Sequence, residues 1–141
     1  SMGDSPAMVA RSVTSADFTA TVVLEQLTPG GAAGISACGD PGNYVSLEYT
    51  GSEAAVWQTR QGERRQLARA GFPSRGRLHL RMSVSAGHQL RLAASVDGKG
   101  WTSVGEGDGG FLPPWDRAIR VALLAKGEAR FDQITILPAG K

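Results

Sequence analysis

The stretch that most constrains the fold runs from Arg77 to Trp101, RLHLRMSVSAGHQLRLAASVDGKGW, where two runs alternate strictly between apolar and polar residues. Leu78, Leu80, Met82 and Val84 fall on one side of the first run, with His79, Arg81, Ser83 and Ser85 on the other. The second run sets Leu90, Leu92, Ala94 and Val96 against Gln89, Arg91, Ala93 and Ser95. Successive side chains of a strand point to opposite faces, so a period of two means one buried and one solvated sheet face. Turn chemistry at Ala86-Gly87-His88 between the runs, and at Asp97-Gly98 after them, predicts an antiparallel hairpin from a sandwich or barrel.

The remainder reads the same way. Phe18, Ala20, Val22 and Leu24 alternate with Thr19, Thr21, Val23 and Glu25, and Thr28-Pro29-Gly30-Gly31 ends that strand. Gly34 to Ala37, Tyr44 to Thr50 and Glu53 to Thr59 follow, separated by Gly39-Asp40-Pro41-Gly42-Asn43 and Gly51-Ser52. In Tyr44 to Thr50, Val45, Leu47 and Tyr49 face away from Tyr44, Ser46 and Glu48. Arg60 to Arg69 fits either a strand through Arg65, Leu67 and Arg69 or one loose helical turn. Trp101 to Val104 is a short strand, Gly105 to Arg117 the longest irregular segment, and Ala118 to Ala125 and Ala129 to Leu137 complete the chain. About ten short strands with turn signals between them, and no βαβ alternation or fixed repeat, predict an all-β sandwich or barrel.

A chain of 141 residues suits one domain with a single core. Ser1-Met2 reads as a remnant of recombinant expression, and residues 3–141 are expected to form one β-sandwich domain of a longer protein. The formal charge is only +2, and the densest cations, Arg60, Arg64, Arg65, Arg69, Arg75 and Arg77, read as a solvated strand and loop. Only Trp57 and Phe72 flank that cluster, too few stacking platforms for nucleic acid, so no nucleic-acid partner is expected. Cys38 is the lone cysteine, which leaves no intrachain disulfide and no CxxC pair, and it reads as a small, partly buried thiol. No apolar run approaches the roughly 20 residues that span a bilayer, so no membrane partner is expected. The domain reads as soluble, its compartment, secreted or cytoplasmic, being that of the parent protein.

Catalysis finds little support. A glycosidase needs two carboxyl groups flanking the scissile bond. Glu48 is the one carboxylate that the period places mid-strand on a polar face, and no E-x-D-x-x-E string supplies a companion. No serine sits in a G-x-S-x-G elbow. Gly105-Glu106-Gly107-Asp108-Gly109-Gly110 lacks the lysine of a phosphate loop and the ligand spacing of an EF-hand, and reads as a flexible surface loop. Ser95-Val96-Asp97-Gly98-Lys99-Gly100-Trp101 resembles an Asp box with its glycine and tryptophan displaced; it reads as a structural turn followed by a core plug, Trp101.

Sugar binding is the remaining chemistry, because a pyranose stacks on aromatic rings while its hydroxyls pair with polar side chains. Tyr44 and Glu48, with His79, Arg81, Gln89 and Arg91 of the hairpin, are the candidates for a groove that takes a polysaccharide or oligosaccharide. Polar strand faces are often merely solvated, and Trp57 and Trp101 read equally well as buried packing. Trp115, in a proline-bounded loop, is the candidate for contact with a partner surface.

The order of local phrases carries a resemblance. Val9-Ala10-Arg11, Asp17-Phe18-Thr19-Ala20-Thr21-Val22, Ala33-Gly34-Ile35, Gly42-Asn43-Tyr44-Val45-Ser46-Leu47, Ser95-Val96-Asp97-Gly98 with Trp101, and Ala129-Arg130-Phe131-Asp132-Gln133-Ile134 occur in sequence. Together they resemble concanavalin A-like sandwich domains, nearest to the C-terminal domain of family 43 β-xylosidases and related accessory domains of unknown function. The resemblance implies a two-sheet antiparallel jelly-roll sandwich that does not itself hydrolyse sugar and packs on a neighbouring catalytic domain of the same chain. It also implies that Gly105 to Arg117, with Phe111 and Trp115, reaches toward that partner, although Pro113-Pro114 departs from the family's usual phrasing. No organic cofactor is implied; a structural calcium ion is common in related sandwiches, and Asp132 is the residue that would supply a ligand.

Overall fold

The computed structural model describes residues 7–13, 18–27, 31–40, 43–71, 78–85, 89–108, 119–126 and 129–138. Among them the regular elements are all strands: β1 (Ala7–Val13), β2 (Phe18–Leu27), β3 (Ala32–Asp40), β4 (Asn43–Tyr49), β5 (Glu53–Arg60), β6 (Glu63–Gly71), β7 (Leu78–Ser85), β8 (Gln89–Ser95), β9 (Thr102–Asp108), β10 (Ile119–Lys126) and β11 (Ala129–Pro138). They form two antiparallel sheets. Sheet A has six strands in the order β1-β10-β3-β4-β5-β6, and sheet B has five in the order β11-β2-β7-β8-β9.

The period-two pattern fixes which faces meet. Phe18, Ala20, Val22 and Leu24 of β2, Leu78, Leu80, Met82 and Val84 of β7, and Leu90, Leu92 and Ala94 of β8 point inward from sheet B. Ala33, Ile35 and Ala37 of β3, Val45, Leu47 and Tyr49 of β4, and Ala54 and Val56 of β5 meet them from sheet A. Burying a Leu, Val, Phe or Met side chain contributes about 1.5–3 kcal/mol, so this layer, with little need for propensity, decides the register. The β7/β8 hairpin forms as its alternation predicts, His79 pairing with Ser95 and Ser85 with Gln89.

One open alternative is settled and two local expectations change. The segment after Arg60 is a strand, not a helical turn: Arg60 pairs with Glu63 across a two-residue turn in which Gln61 and Gly62 have φ of 51° and 79°. Positive φ at both positions is the hairpin geometry that matches strand twist. The expected loop from Gly105 begins as strand, since β9 runs to Asp108. A Cβ on Gly105 would stand 2.6 Å from Ala68 Cβ and 3.1 Å from Val56 Cγ2, so β9 closes against β5 and β6 of the other sheet where only glycine fits. Finally, the alternation stops at Ser95: its side chain is fully buried while Val96 is 56% exposed, the reverse of the sequence pattern.

Candidate functional site

Each sheet has an outer face, and the two faces divide the candidate residues between them. On β4, Val45, Leu47 and Tyr49 belong to the inter-sheet core, which turns Tyr44, Ser46 and Glu48 to the outside of sheet A. His79, Arg81, Gln89 and Arg91 alternate with core residues of β7 and β8, which turns them to the outside of sheet B. With the inter-sheet core between them, Tyr44 and Glu48 cannot line one groove with the other four. The single groove expected from the sequence is therefore two separate faces.

On sheet A the outer face is built around Arg64. Because the Gln61-Gly62 turn is two residues long, Thr59 pairs with Arg64 on one side and with Tyr44 on the other, which lays Arg64 across the hairpin onto β4. Arg64 Nη1 donates to Tyr44 Oη at 3.0 Å, and Nη2 donates to Glu48 Oε1 at 2.9 Å. Ser46 Oγ donates to the other carboxylate oxygen, Oε2, at 2.6 Å. The guanidinium also stands over Trp57, its Cζ 4.5 Å from the ring centroid. Partial burial opposes the charge on Arg64, but the hydrogen bond and charge of Glu48, with the Tyr44 oxygen, outweigh it and raise its pKa above the ordinary value.

This face is closed. Tyr44 is only 3% exposed and packs with Ala122 and Leu124 of β10, while Ser36, Ser46, Ala55 and Thr59 are buried beside it. Glu48, the mid-strand carboxylate, has both oxygens engaged by Ser46 and Arg64, an arrangement that holds a strand rather than one that protonates a leaving group. Two hydroxyls here, Ser36 Oγ and Thr59 Oγ1, are buried without a hydrogen-bond partner.

On sheet B the outer face is organised by the turn that follows β8. Ser95 Oγ accepts from Gly98 N at 2.9 Å and from Asp97 N at 3.3 Å, and donates to Asp97 Oδ1 at 3.0 Å. The same carboxylate oxygen accepts from Lys99 N at 2.8 Å and Gly100 N at 3.0 Å. Those bonds, from Gly100 first, then Lys99 and Ser95, lower the Asp97 pKa to about 2. The Asp-box resemblance is thus a working turn. It delivers Trp101 to the outer face instead of the core: the ring is half-buried, meets His79 edge-on at 6.3 Å and 82°, and carries Arg81 stacked 4.2 Å from its centroid. Gln89 and Arg91 stand exposed on β8.

Sequence reasoning placed Arg64 among solvated cations and left Trp57 and Trp101 as packing. The missed signal is the length of the Gln61-Gly62 turn, which puts Arg64 in register with Thr59 and Tyr44. Phe111 and Trp115 lie outside the described residues, as does most of the segment from Gly105 to Arg117. Asp132 lies on β11 where its pairing with β2 is interrupted before Thr135, and its side chain is outside what the structure describes. Calcium takes six to eight oxygens. Among the described residues no three His, Cys, Asp or Glu side chains gather that could hold a metal, so they offer no calcium cradle. Among them, too, no helix is long and apolar enough to cross a membrane.

Comparison with known proteins agrees with this architecture. The family described as "Beta xylosidase C-terminal Concanavalin A-like domain" matches residues 1–114. The GH43 protein BlXynB from Bacillus licheniformis is 23% identical with a TM-score of 0.78, covering 93% of this chain and 29% of its own. Xylan beta-1,4-xylosidase from Bacillus halodurans C-125 is 19% identical with a TM-score of 0.79, covering 94% of this chain and 30% of its own. Carbohydrate binding module CBM66 from Bacillus subtilis is 14% identical with a TM-score of 0.61, covering 95% of this chain and 83% of its own. No curated protein matches. The chain thus spans less than a third of either enzyme. Through its match over residues 1–114 it belongs to the family of concanavalin A-like domains found at the C-terminus of GH43 β-xylosidases, an accessory and not a catalytic domain.

Proposed function

We propose that this sandwich serves a family 43 glycoside hydrolase as its C-terminal accessory domain, stabilising or shaping the catalytic domain of the same chain. The carrying observation is the family match, joined to the fact that the two enzymes extend well beyond the region similar to this chain. The site geometry supports it, since the mid-strand carboxylate Glu48 is spent on Arg64 and Ser46. The chain of residues 1–141 should release no p-nitrophenol from p-nitrophenyl xyloside, and deleting residues 3–141 from the parent enzyme should lower the melting temperature of what remains. Turnover by residues 1–141 alone, removed by Glu48→Gln, would overturn this reading.

A second reading is saccharide binding. It is favoured by the outer face of sheet B, where Trp101 stands beside Arg81 of β7 with Gln89 and Arg91 exposed on the neighbouring β8, and by the likeness of the fold to CBM66. The closed outer face of sheet A is the poorer candidate, because Tyr44 and Glu48 are committed within the chain. Binding of xylan that survives Glu48→Gln but is lost in Trp101→Ala would support sheet B. Loss in the first and survival in the second would move the sugar to sheet A.

A further inference from the structure

Arg64 and Arg81 occupy the same kind of seat. Each guanidinium lies over a tryptophan, 4.5 Å from Trp57 in one case and 4.2 Å from Trp101 in the other. Arg64 has a carboxylate against its fork, that of Glu48 at 2.9 Å. Arg81 has none: among the described residues no carboxylate lies within ion-pair distance of it, and no hydrogen-bond acceptor meets it. Its neighbours across the sheet are Thr21 on β2 and Ala93 on β8, too short to cover it. Stacking restricts a guanidinium to one plane, so its donors are set out for a bidentate acceptor before one arrives.

The surroundings carry charge of both signs: Arg91 adds a second cation, while β9 sets Glu106 across from it and Asp108 across from Gln89. Arg91, exposed on β8, pairs with Ser83, the residue two beyond Arg81 on the same face of β7. Glu106 of β9 stands across from Arg91 without an ion pair to it, which leaves Arg91 exposed and Arg81 half-buried, each next to Ser83 on the same face.

We infer that the outer face of sheet B takes an acidic saccharide, with the carboxylate of a uronate residue held by the fork of Arg81 in the place that Glu48 fills for Arg64. The inference rests on the saccharide reading above and names its ligand class. Charge complementarity carries it: a neutral sugar would leave the five donors of Arg81 without the partner that its twin possesses. Trp101 and His79 wall the site, and Arg91 supports a second uronate along the chain.

The test compares glucuronoxylan with the same polymer after reduction of its carboxyl groups to alcohols, each titrated calorimetrically into the chain of residues 1–141. Wild type should bind the acidic polymer at least about tenfold more tightly than the reduced one, and Arg81→Gln should remove that preference. Arg81→Lys keeps the charge but not the fork, and should retain only part of it. Arg65→Gln on β6 removes one exposed cation elsewhere and should leave the preference intact; thermal melts check that all variants fold. Equal binding of both polymers would overturn the inference and leave the saccharide reading standing. No binding of either would sink both. Equal losses in Arg81→Gln and Arg65→Gln, or binding of poly-glutamate as tight as that of glucuronoxylan, would also overturn it, the first as unspecific charge and the second as recognition of an acidic protein surface.

Discussion

On sheet A the Arg64 guanidinium lies over Trp57 and is bound by Glu48 and Tyr44; on sheet B the Arg81 guanidinium lies over Trp101 and, among the described residues, is bound by neither carboxylate nor hydroxyl. The strands beneath them are alike, each with its apolar residues turned to one shared core. What differs is how each tryptophan is held. Trp57 sits within a strand under a network that ties β4 to β6, whereas Trp101 is brought to its face by the Ser95 to Gly100 turn, which is complete without Arg81. A stack that closes on a carboxylate of its own chain becomes structure, and the other is where the proposed saccharide would bind.

The largest effect expected from this contrast is at Glu48. Glu48→Ala takes the counter-charge from Arg64, whose side chain is 35% exposed against 11% for Glu48, and frees the Ser46 hydroxyl, and should cost about 1–2 kcal/mol in urea unfolding, between the roughly 0–1 kcal/mol of exposed pairs and the roughly 3–5 kcal/mol of buried ones. A loss below about 0.5 kcal/mol would mean that the sheet A network does not hold the face together. Arg81→Gln removes only a stacking contact and should cost about 0.5–1 kcal/mol, so a larger loss would show Arg81 to be structural after all.

Smaller, and dependent on pH, is the effect at Asp97. Its folded pKa of about 2 lies below the ordinary 3.8, so its contribution to stability is present above the ordinary value and is lost as pH falls toward 2. Asp97→Asn should therefore melt below wild type at neutral pH and converge with it on acidification through that window. A constant gap across the window would mean that the charge is not what the Gly100 and Lys99 amides hold.

The smallest effect belongs to Thr59, whose buried hydroxyl has no partner. Replacing it with a methyl of nearly the same shape, Thr59→Val, should leave stability within about 0.5 kcal/mol of wild type or raise it. A loss of more than about 1 kcal/mol would mean that the hydroxyl is satisfied and the closed face is organised differently.

The inner layer was legible because period two needs no knowledge of neighbours: Leu78, Leu80, Leu90 and Leu92 are buried whichever strands flank them. The outer faces were not, because their fate depends on pairings that sequence distance hides. Tyr44 is buried by Ala122 and Leu124, which reach it only because β10 lies beside β3. The alternation also runs one pair too far, since Ser95, on the outer face beside His79, is buried by the Asp97 turn it bonds to and Val96 is turned out. Glu106 read as loop because glycines on both sides suggest flexibility, whereas Gly105 is required where β9 meets Ala68 and Val56.

The most direct test of the division between a closed and an open face is resonance mapping. In the isotope-labelled chain titrated with glucuronoxylan oligosaccharides, the indole signal of Trp101 and the amides of His79, Arg81 and Arg91 should shift together, with Trp57 and Arg64 unchanged. Shifts at Trp57 and Arg64 with Trp101 silent would contradict the account.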